Sequence, residues 1–233
     1  MASPTRPAAP RSPRLSAAPL ALCVLAACSA PNLSRTVGKG NWELHGNHGG
    51  PLLRPPGLPP VPMGHTNLGV RYGVTDDFDV DANVNLLPFF VRVWETDVAG
   101  VLQLYRRPRK LAVSASARLY FFGDLDDAPK VRLYPQLGLH VGRPLGRWFH
   151  PYGGLLLAFQ FARRADATPV FFTPFLAVEF LMPPRRGRQH GFGVHSSWTN
   201  PWTDTDVIVD YAPPRGALAV YLTYRVRFGG WDR

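Results

Sequence analysis

The chain has 233 residues, with 26 basic and 16 acidic side chains, a formal net charge of +10 and two cysteines. Mean hydropathy is −0.09, and the sequence lacks the run of roughly 18 apolar residues that a membrane-spanning helix needs. Transmembrane helices are therefore excluded. The two cysteines both lie in the first 28 residues, so a disulfide framework in the rest of the chain is excluded as well.

The first segment has the composition of a secretion signal. Three arginines, Arg6, Arg11 and Arg14, precede a short run of mostly Ala and Leu over residues 17–27. That run is too short to cross a bilayer as a helix. Without those three arginines the rest of the chain carries 23 basic and 16 acidic residues, a charge of +7.

The apolar run ends in Leu25-Ala26-Ala27-Cys28-Ser29. This string resembles the bacterial lipobox, whose cysteine is acylated and becomes the first residue of the mature protein. The resemblance predicts a lipoprotein signal peptide over 1–28, with Cys28 as the lipidation site and 29–35 as a short tether. In such lipoproteins an aspartate after the cysteine retains the protein in the inner membrane. The residue at this position is Ser29, which favours sorting to an outer membrane. The alternative is ordinary cleavage near Cys28, with the cysteine unmodified.

Residues 36–233 are predicted to form one all-β domain, because apolar and polar residues alternate along about ten segments. Such alternation gives a strand one apolar and one polar face. The clearest examples are Phe78–Leu86, Leu111–Phe121 and Gly216–Phe228. The ten predicted strands are Lys39–Asn47, Gly64–Gly73, Phe78–Leu87, Asp97–Arg106, Leu111–Phe122, Val131–Val141, Trp148–Ala162, Pro169–Met182, Gln189–Trp198 and Gly216–Phe228.

The connections between these strands alternate in length. Short turns follow the even-numbered strands, whereas Gly49–Met63 and Thr199–Arg215 are long. An even number of strands with this alternation is typical of an antiparallel up-and-down barrel that crosses a membrane, with short turns on the periplasmic side. Aromatic residues near both ends, such as Trp148 and Trp231 at one and Phe89, Phe90, Phe122 and Phe171 at the other, favour the same interpretation.

The chain is therefore similar to the small bacterial outer-membrane β-barrel proteins of the OmpA and OmpW types. The similarity covers residues 36–228 and includes the turn from Tyr72 to Val80 and the final strand, although Phe228 and Trp231 are not terminal. It implies a monomer in the outer membrane, whose partners are membrane lipids and the barrel-insertion machinery. The lipobox adds the lipoprotein-sorting machinery and a lipid anchor on the periplasmic side.

The polar strand faces carry charges of both signs, which favours a lumen packed with ion pairs. We expect Arg71 to lie opposite Asp79, with Asp81 one diagonal step away, and Glu43 to meet Arg225 on closure. The candidate ion-pair residues are Glu43, Arg71, Asp79, Asp81, Arg118, Arg132, Glu179, Arg225 and Arg227.

An enzymatic role is not predicted. His195-Ser196-Ser197 resembles the His-x-Ser-Asn pattern of outer-membrane lipid A deacylases, but Trp198 stands in place of the asparagine. The seven histidines match no metal-site spacing, so neither metal nor cofactor is predicted. The basic residues gather in short connections without interleaved aromatics, so a nucleic-acid partner is not predicted either.

The sequence thus predicts a non-enzymatic outer-membrane β-barrel lipoprotein with a largely occluded lumen and a structural or interaction role. Three alternatives stay open. They are a narrow pore or transporter of small amphipathic molecules, a lipid A-modifying enzyme, and a lipid-anchored, lipocalin-like binder with its apolar face inward. Alternation alone does not determine which strand face points outward.

Overall fold

A computed structural model describes residues 33–55, 57–86, 92–107, 110–125, 131–161, 169–204 and 212–229. The predicted signal peptide with Cys28, and the rim aromatics Phe89, Phe90 and Trp231, lie outside the described residues. In the described part, no helix has the length and apolarity needed to cross a membrane.

The described chain is built of antiparallel strands, each following the alternation seen in the sequence. Their bounds are β1 Trp42–Leu53, β2 Val61–Pro62, β3 His65–Gly73, β4 Phe78–Asn85, β5 Val93–Arg106, β6 Ala112–Asp124, β7 Arg132–Gly142, β8 Phe149–Phe159, β9 Val170–Leu181, β10 Arg188–Asp204 and β11 Arg215–Phe228.

The sheet closes on itself. Consecutive strands pair from β3 through β11, and β1 pairs with both β3 and β11. The closing ladder runs from Trp42↔Phe228 to Pro51↔Ala219. The short strand β2 pairs only with the end of β1, so the barrel itself has ten strands. The predicted fold class, an antiparallel barrel of about ten strands, is confirmed.

β1 differs most from its prediction. It begins at Trp42 instead of Lys39 and continues to Leu53, through Gly49, Gly50 and Pro51. Those three residues suggested a loop, yet they remain in the ladder. A β-carbon at Gly49 would overlap the carbonyl oxygen of Val220 on β11. Glycine is required there by the close approach of two backbones, not by a turn.

Most apolar side chains point outward, and most charged side chains on the strands point inward. Leu176 and Leu222 are 68% and 63% exposed, whereas Arg71 and Asp81 are 0% exposed. This polarity excludes the lipocalin-like alternative, which needs an apolar interior. Phe122 and Phe171, predicted at the outer rim, instead point into the barrel and are buried.

The two ends of the barrel differ in their connections. One end carries four short turns, between β3 and β4, β5 and β6, β7 and β8, and β9 and β10. The other end carries the longer connections, including the one that contains β2. The N-terminal residues 33–41 lie at the short-turn end, where Gly40 N donates a hydrogen bond to Gly73 O over 2.8 Å.

Because the outer face is apolar, a charged residue placed on it is expected to destabilise the barrel, most strongly near the middle of a strand. Leu137, near the middle of β7, is 51% exposed. We expect Leu137→Arg to reduce the free energy of unfolding in phospholipid vesicles by about 2–4 kcal/mol, because lipid cannot solvate the guanidinium. Urea titration followed by tryptophan fluorescence measures the change. Leu137→Val is the matched control, and equal stability of the two variants would contradict a lipid-facing position.

Candidate functional site

The interior charges assemble around Glu43, on β1. Its carboxylate lies 3.5 Å from Arg71 Nη1, 3.2 Å from Arg225 Nη1 and 3.1 Å from Arg227 Nη2. The predicted contact between Glu43 and Arg225 is therefore present. Because the three arginines come from β3 and β11, they join both neighbours of β1 through one carboxylate.

Asp81 on β4 is a second centre. It lies 3.4 Å from Arg71 Nε, 2.9 Å from Arg118 Nη2 and 3.5 Å from His45 Nε2. Arg71 is the direct cross-strand partner of Asp81, and not of Asp79 as predicted. The turn between β3 and β4 closes with Val74 N donating to Phe78 O over 2.9 Å, which moves the register by two residues.

Neutral and acidic groups missed by sequence reasoning complete this part of the network. Asn83 Nδ2 donates to Asp81 Oδ1 over 2.6 Å and to Asp97 Oδ1 over 2.9 Å. Asp97 also pairs with Arg118. Asn85 in turn donates to Glu95 over 2.6 Å. The period of two that places Asp79 and Asp81 inside also places Asn83 and Asn85 there, so alternation was the available clue.

The other predicted residues fall in different places. Glu179 pairs with Arg225. Asp79 accepts a hydrogen bond of 2.8 Å from the backbone N–H of Val37. Arg132 is half-buried near the long-connection end, and none of the ion pairs found among the described residues includes it. The network thus contains most, but not all, of the predicted set.

The segment 33–37 enters the barrel at the short-turn end. Leu33 and Thr36 are 0% and 2% exposed, and Leu33 packs on Val101. The amide N–H of Thr36 donates to Gln103 Oε1 over 3.1 Å. Gln103 Nε2 donates in return to Ser34 O over 3.2 Å. This segment, predicted as a tether up to residue 35, is packed against the inner wall where the structure describes it.

A second interior group, formed by β8, β9, β10 and β11, is aromatic. His195 stacks on Phe175 with ring centroids 5.0 Å apart, and the rings of Tyr152 and Tyr221 lie 6.3 and 6.1 Å from it. Neither ring nitrogen of His195 has a hydrogen-bond partner among the described residues. Ser197 shares the inner face but is not held by His195, so the two do not form the activated pair that acyl transfer requires.

Two interior glycines lie close to neighbouring polar side chains. A β-carbon at Gly69 would overlap Asn83 Oδ1 and His45 Nε2, and one at Gly138 would crowd Ser116 and His140. Within the described segments, no three His, Cys, Asp or Glu side chains converge so as to hold a metal ion. The arrangement provides fixed, paired charges and stacked rings.

A closed antiparallel barrel with an apolar outside and a polar inside leaves no unpaired strand edge facing lipid. The chain therefore has the architecture of a bacterial outer-membrane β-barrel. No protein-family model matches the sequence, and no curated protein matches it.

Solved structures with a similar course of the chain include two outer-membrane proteins. The translocator domain of the autotransporter NalP from Neisseria meningitidis aligns with a TM-score of 0.40 and 10% identity, over 83% of this chain and 89% of that one. A bacterial polysaccharide outer membrane secretin aligns with a TM-score of 0.40 and 9% identity, over 84% and 100%. At these values neither match assigns a function.

The network predicts that single charges inside the barrel are costly to remove. Arg118 contacts both Asp81 and Asp97. We expect Arg118→Met to reduce the free energy of unfolding by about 3–5 kcal/mol, because it leaves the buried Asp97 carboxylate without a guanidinium and Asp81 with Arg71 alone. Urea titration of the folded protein in detergent measures the loss.

Arg132→Met is the matched control and is expected to change stability by about 0.5 kcal/mol or less, as for a surface substitution. The double variant Arg118→Met/Asp97→Asn should recover part of the loss, because it removes the carboxylate charge that Arg118→Met leaves without a guanidinium. Equal effects of Arg118→Met and Arg132→Met would contradict the network.

Proposed function

We propose that this protein is a non-enzymatic outer-membrane β-barrel lipoprotein with a closed lumen. It is anchored through Cys28 on the periplasmic side and has a structural or interaction role. The observation that carries the proposal is the pairing of charges between strands inside the barrel, with Glu43 joined to Arg71, Arg225 and Arg227.

Occlusion is supported by the strands that the ion pairs connect. Arg118 on β6 reaches Asp81 on β4, and Arg225 on β11 reaches Glu179 on β9. Each contact passes over an intervening strand and so extends into the lumen. A water-filled channel would instead hydrate these charges individually. A ten-strand barrel is also only slightly wider than the eight-strand barrels that side chains fill.

The N-terminal segment supports occlusion at the short-turn end. Ser114 Oγ donates to Leu33 O, and Thr36 Oγ1 donates to Asp76 O over 2.6 Å. These bonds attach residues 33–36 to β6 and to the turn between β3 and β4. A chain anchored by lipid at Cys28 would approach the barrel from the same end, which fits the proposed periplasmic side of the short turns.

A non-enzymatic role is supported by the position of the deacylase-like motif, His195 to Ser197. His195 and Ser197 both point inward and are 2% and 4% exposed, away from the lipid face where an acylated substrate would lie. With the lumen closed, the surface left for interaction partners is formed by the long connections and the barrel rims.

A closed lumen predicts that the protein does not conduct ions across a membrane. The mature protein, refolded into planar lipid bilayers, is expected to give no discrete current steps, because paired charges and residues 33–37 fill the path. Insertion is verified in the same samples by heat-modifiable migration in electrophoresis. Reproducible unitary conductance of the inserted protein would overturn occlusion and favour the narrow-pore alternative.

Lipidation at Cys28 predicts incorporation of labelled palmitate into the protein in a bacterium that carries out lipoprotein maturation. Cys28→Ala is expected to abolish the label, because the acyl chains need that thiol. Cys23→Ala is the matched control and should retain it. Labelling of the Cys28→Ala protein would disprove the assigned site, and unlabelled wild-type protein would disprove the anchor.

A further inference from the structure

The turns at the short-turn end carry an unusual excess of basic residues. Three of them, residues 107–111, 143–148 and 182–187, contain seven basic residues and no acidic one. The fourth, residues 74–77, contains two aspartates. Asp76 is engaged by the N-terminal segment, since its Oδ1 accepts a hydrogen bond from Lys39 N over 3.1 Å.

The opposite end has no such excess. Its connections, residues 54–64, 86–92, 125–131, 160–169 and 205–214, contain five basic and five acidic residues. The chain's positive charge is therefore concentrated at one end of the barrel. Most of the basic side chains at the short-turn end are exposed and take no part in the interior ion pairs. The exposed basic residues are Arg107, Lys110, Arg143, Arg147, Arg185, Arg186 and Arg188, which we name the basic rim.

The basic rim lies beside apolar residues that face outward. Trp148 is 62% exposed, Leu145 49% and Met182 47%. Aromatic and apolar groups at a strand end, followed at once by cations, are the composition of a membrane–water interface. The height of the basic rim along the barrel axis is therefore that of lipid headgroups.

Two contacts hold guanidinium groups on the outward side of the wall. Arg107 Cζ lies 5.7 Å from the centre of the Tyr105 ring, and Arg188 Cζ lies 5.6 Å from that of Phe228. Tyr105 is 41% exposed, and Phe228 is the cross-strand partner of Arg188. Stacking on these rings directs the two charges toward surrounding lipid, and not toward the lumen.

We propose that the basic rim binds the phosphate groups of anionic glycerophospholipids in the leaflet that surrounds the short turns. Arginine suits this ligand because its planar fork bonds phosphate oxygens in pairs. The inference rests on the proposed membrane location. It adds a defined lipid class and the end of the barrel at which that lipid gathers.

The test uses the mature full-length protein reconstituted into nanodiscs of equal phosphatidylglycerol and phosphatidylcholine, with retained lipids identified by native mass spectrometry. The rim variant carries Arg143→Gln, Arg147→Gln, Arg185→Gln and Arg188→Gln. The control variant carries Arg54→Gln, Arg92→Gln, Lys130→Gln and Arg215→Gln, which removes equal charge near the long connections.

Wild type and control are expected to retain phosphatidylglycerol in preference to phosphatidylcholine. The rim variant should lose that preference by about tenfold or more, given about fivefold per basic residue at a membrane surface. The proposal is overturned if the rim and control variants show the same preference for phosphatidylglycerol, whether both keep it or both lose it.

Lipopolysaccharide and soluble anionic wall fragments are offered in parallel samples. If the rim variant loses one of these while its phosphatidylglycerol preference is unchanged, the rim serves that other ligand and the proposal is wrong. Heat-modifiable migration of every variant reports barrel insertion independently. A failure of the membrane location is thereby distinguished from a failure of headgroup binding.

Discussion

Hydrogen bonding between β1 and β11 is the interaction on which the rest of the structure depends. Lipid offers no partner for the N–H and C=O groups of a sheet edge, so a sheet that faces lipid must close. Closure brings together residues that are far apart in sequence. Arg225 and Glu43, which are 182 positions apart, meet because their strands become neighbours. Without closure, Glu43 would keep Arg71 but lose its two other arginines.

The interior network is stable only as a whole. Each buried carboxylate or guanidinium would be costly alone, but Asp81 and Glu43 each have several partners, and Arg71 contacts both. Two of the ion pairs, Arg118 with Asp81 and Arg225 with Glu179, join strands that share no backbone hydrogen bonds. A slip of one residue would turn the charged face toward lipid. The network therefore favours a single register.

The two ends of the barrel are chemically distinct, although one sheet connects them. The short-turn end holds the N-terminal segment on the inside and the basic rim on the outside. Gln103 attaches that segment to β5, while Arg107, four residues later, stacks on Tyr105 at the outer surface. The end that we propose faces the periplasm thus combines a packed N-terminal segment with an exposed cationic surface.

Much of the candidate site was predictable because the side-chain period of a strand is two. The placement of Asp81, Arg118 and Arg225 on the polar strand faces followed from alternation, and the contact between Glu43 and Arg225 followed from closure. The register of β3 on β4 did not, because it depends on where the turn at Val74 closes. Asp97 was missed because the predicted strand began at that residue, whereas β5 begins at Val93, and because the next inward residues, Ala99 and Val101, are apolar.

By itself, the sequence determined the strand count, the short and long connections and the grouping of polar residues on one strand face, since these depend on local pattern. Only the tertiary structure decided which face is inside. Alternation is symmetric with respect to the two sides of a sheet, and curvature into a barrel breaks that symmetry. The packing of residues 33–37 against the inner wall was likewise decided in three dimensions, because Leu33 and Val101 meet only once the barrel has formed.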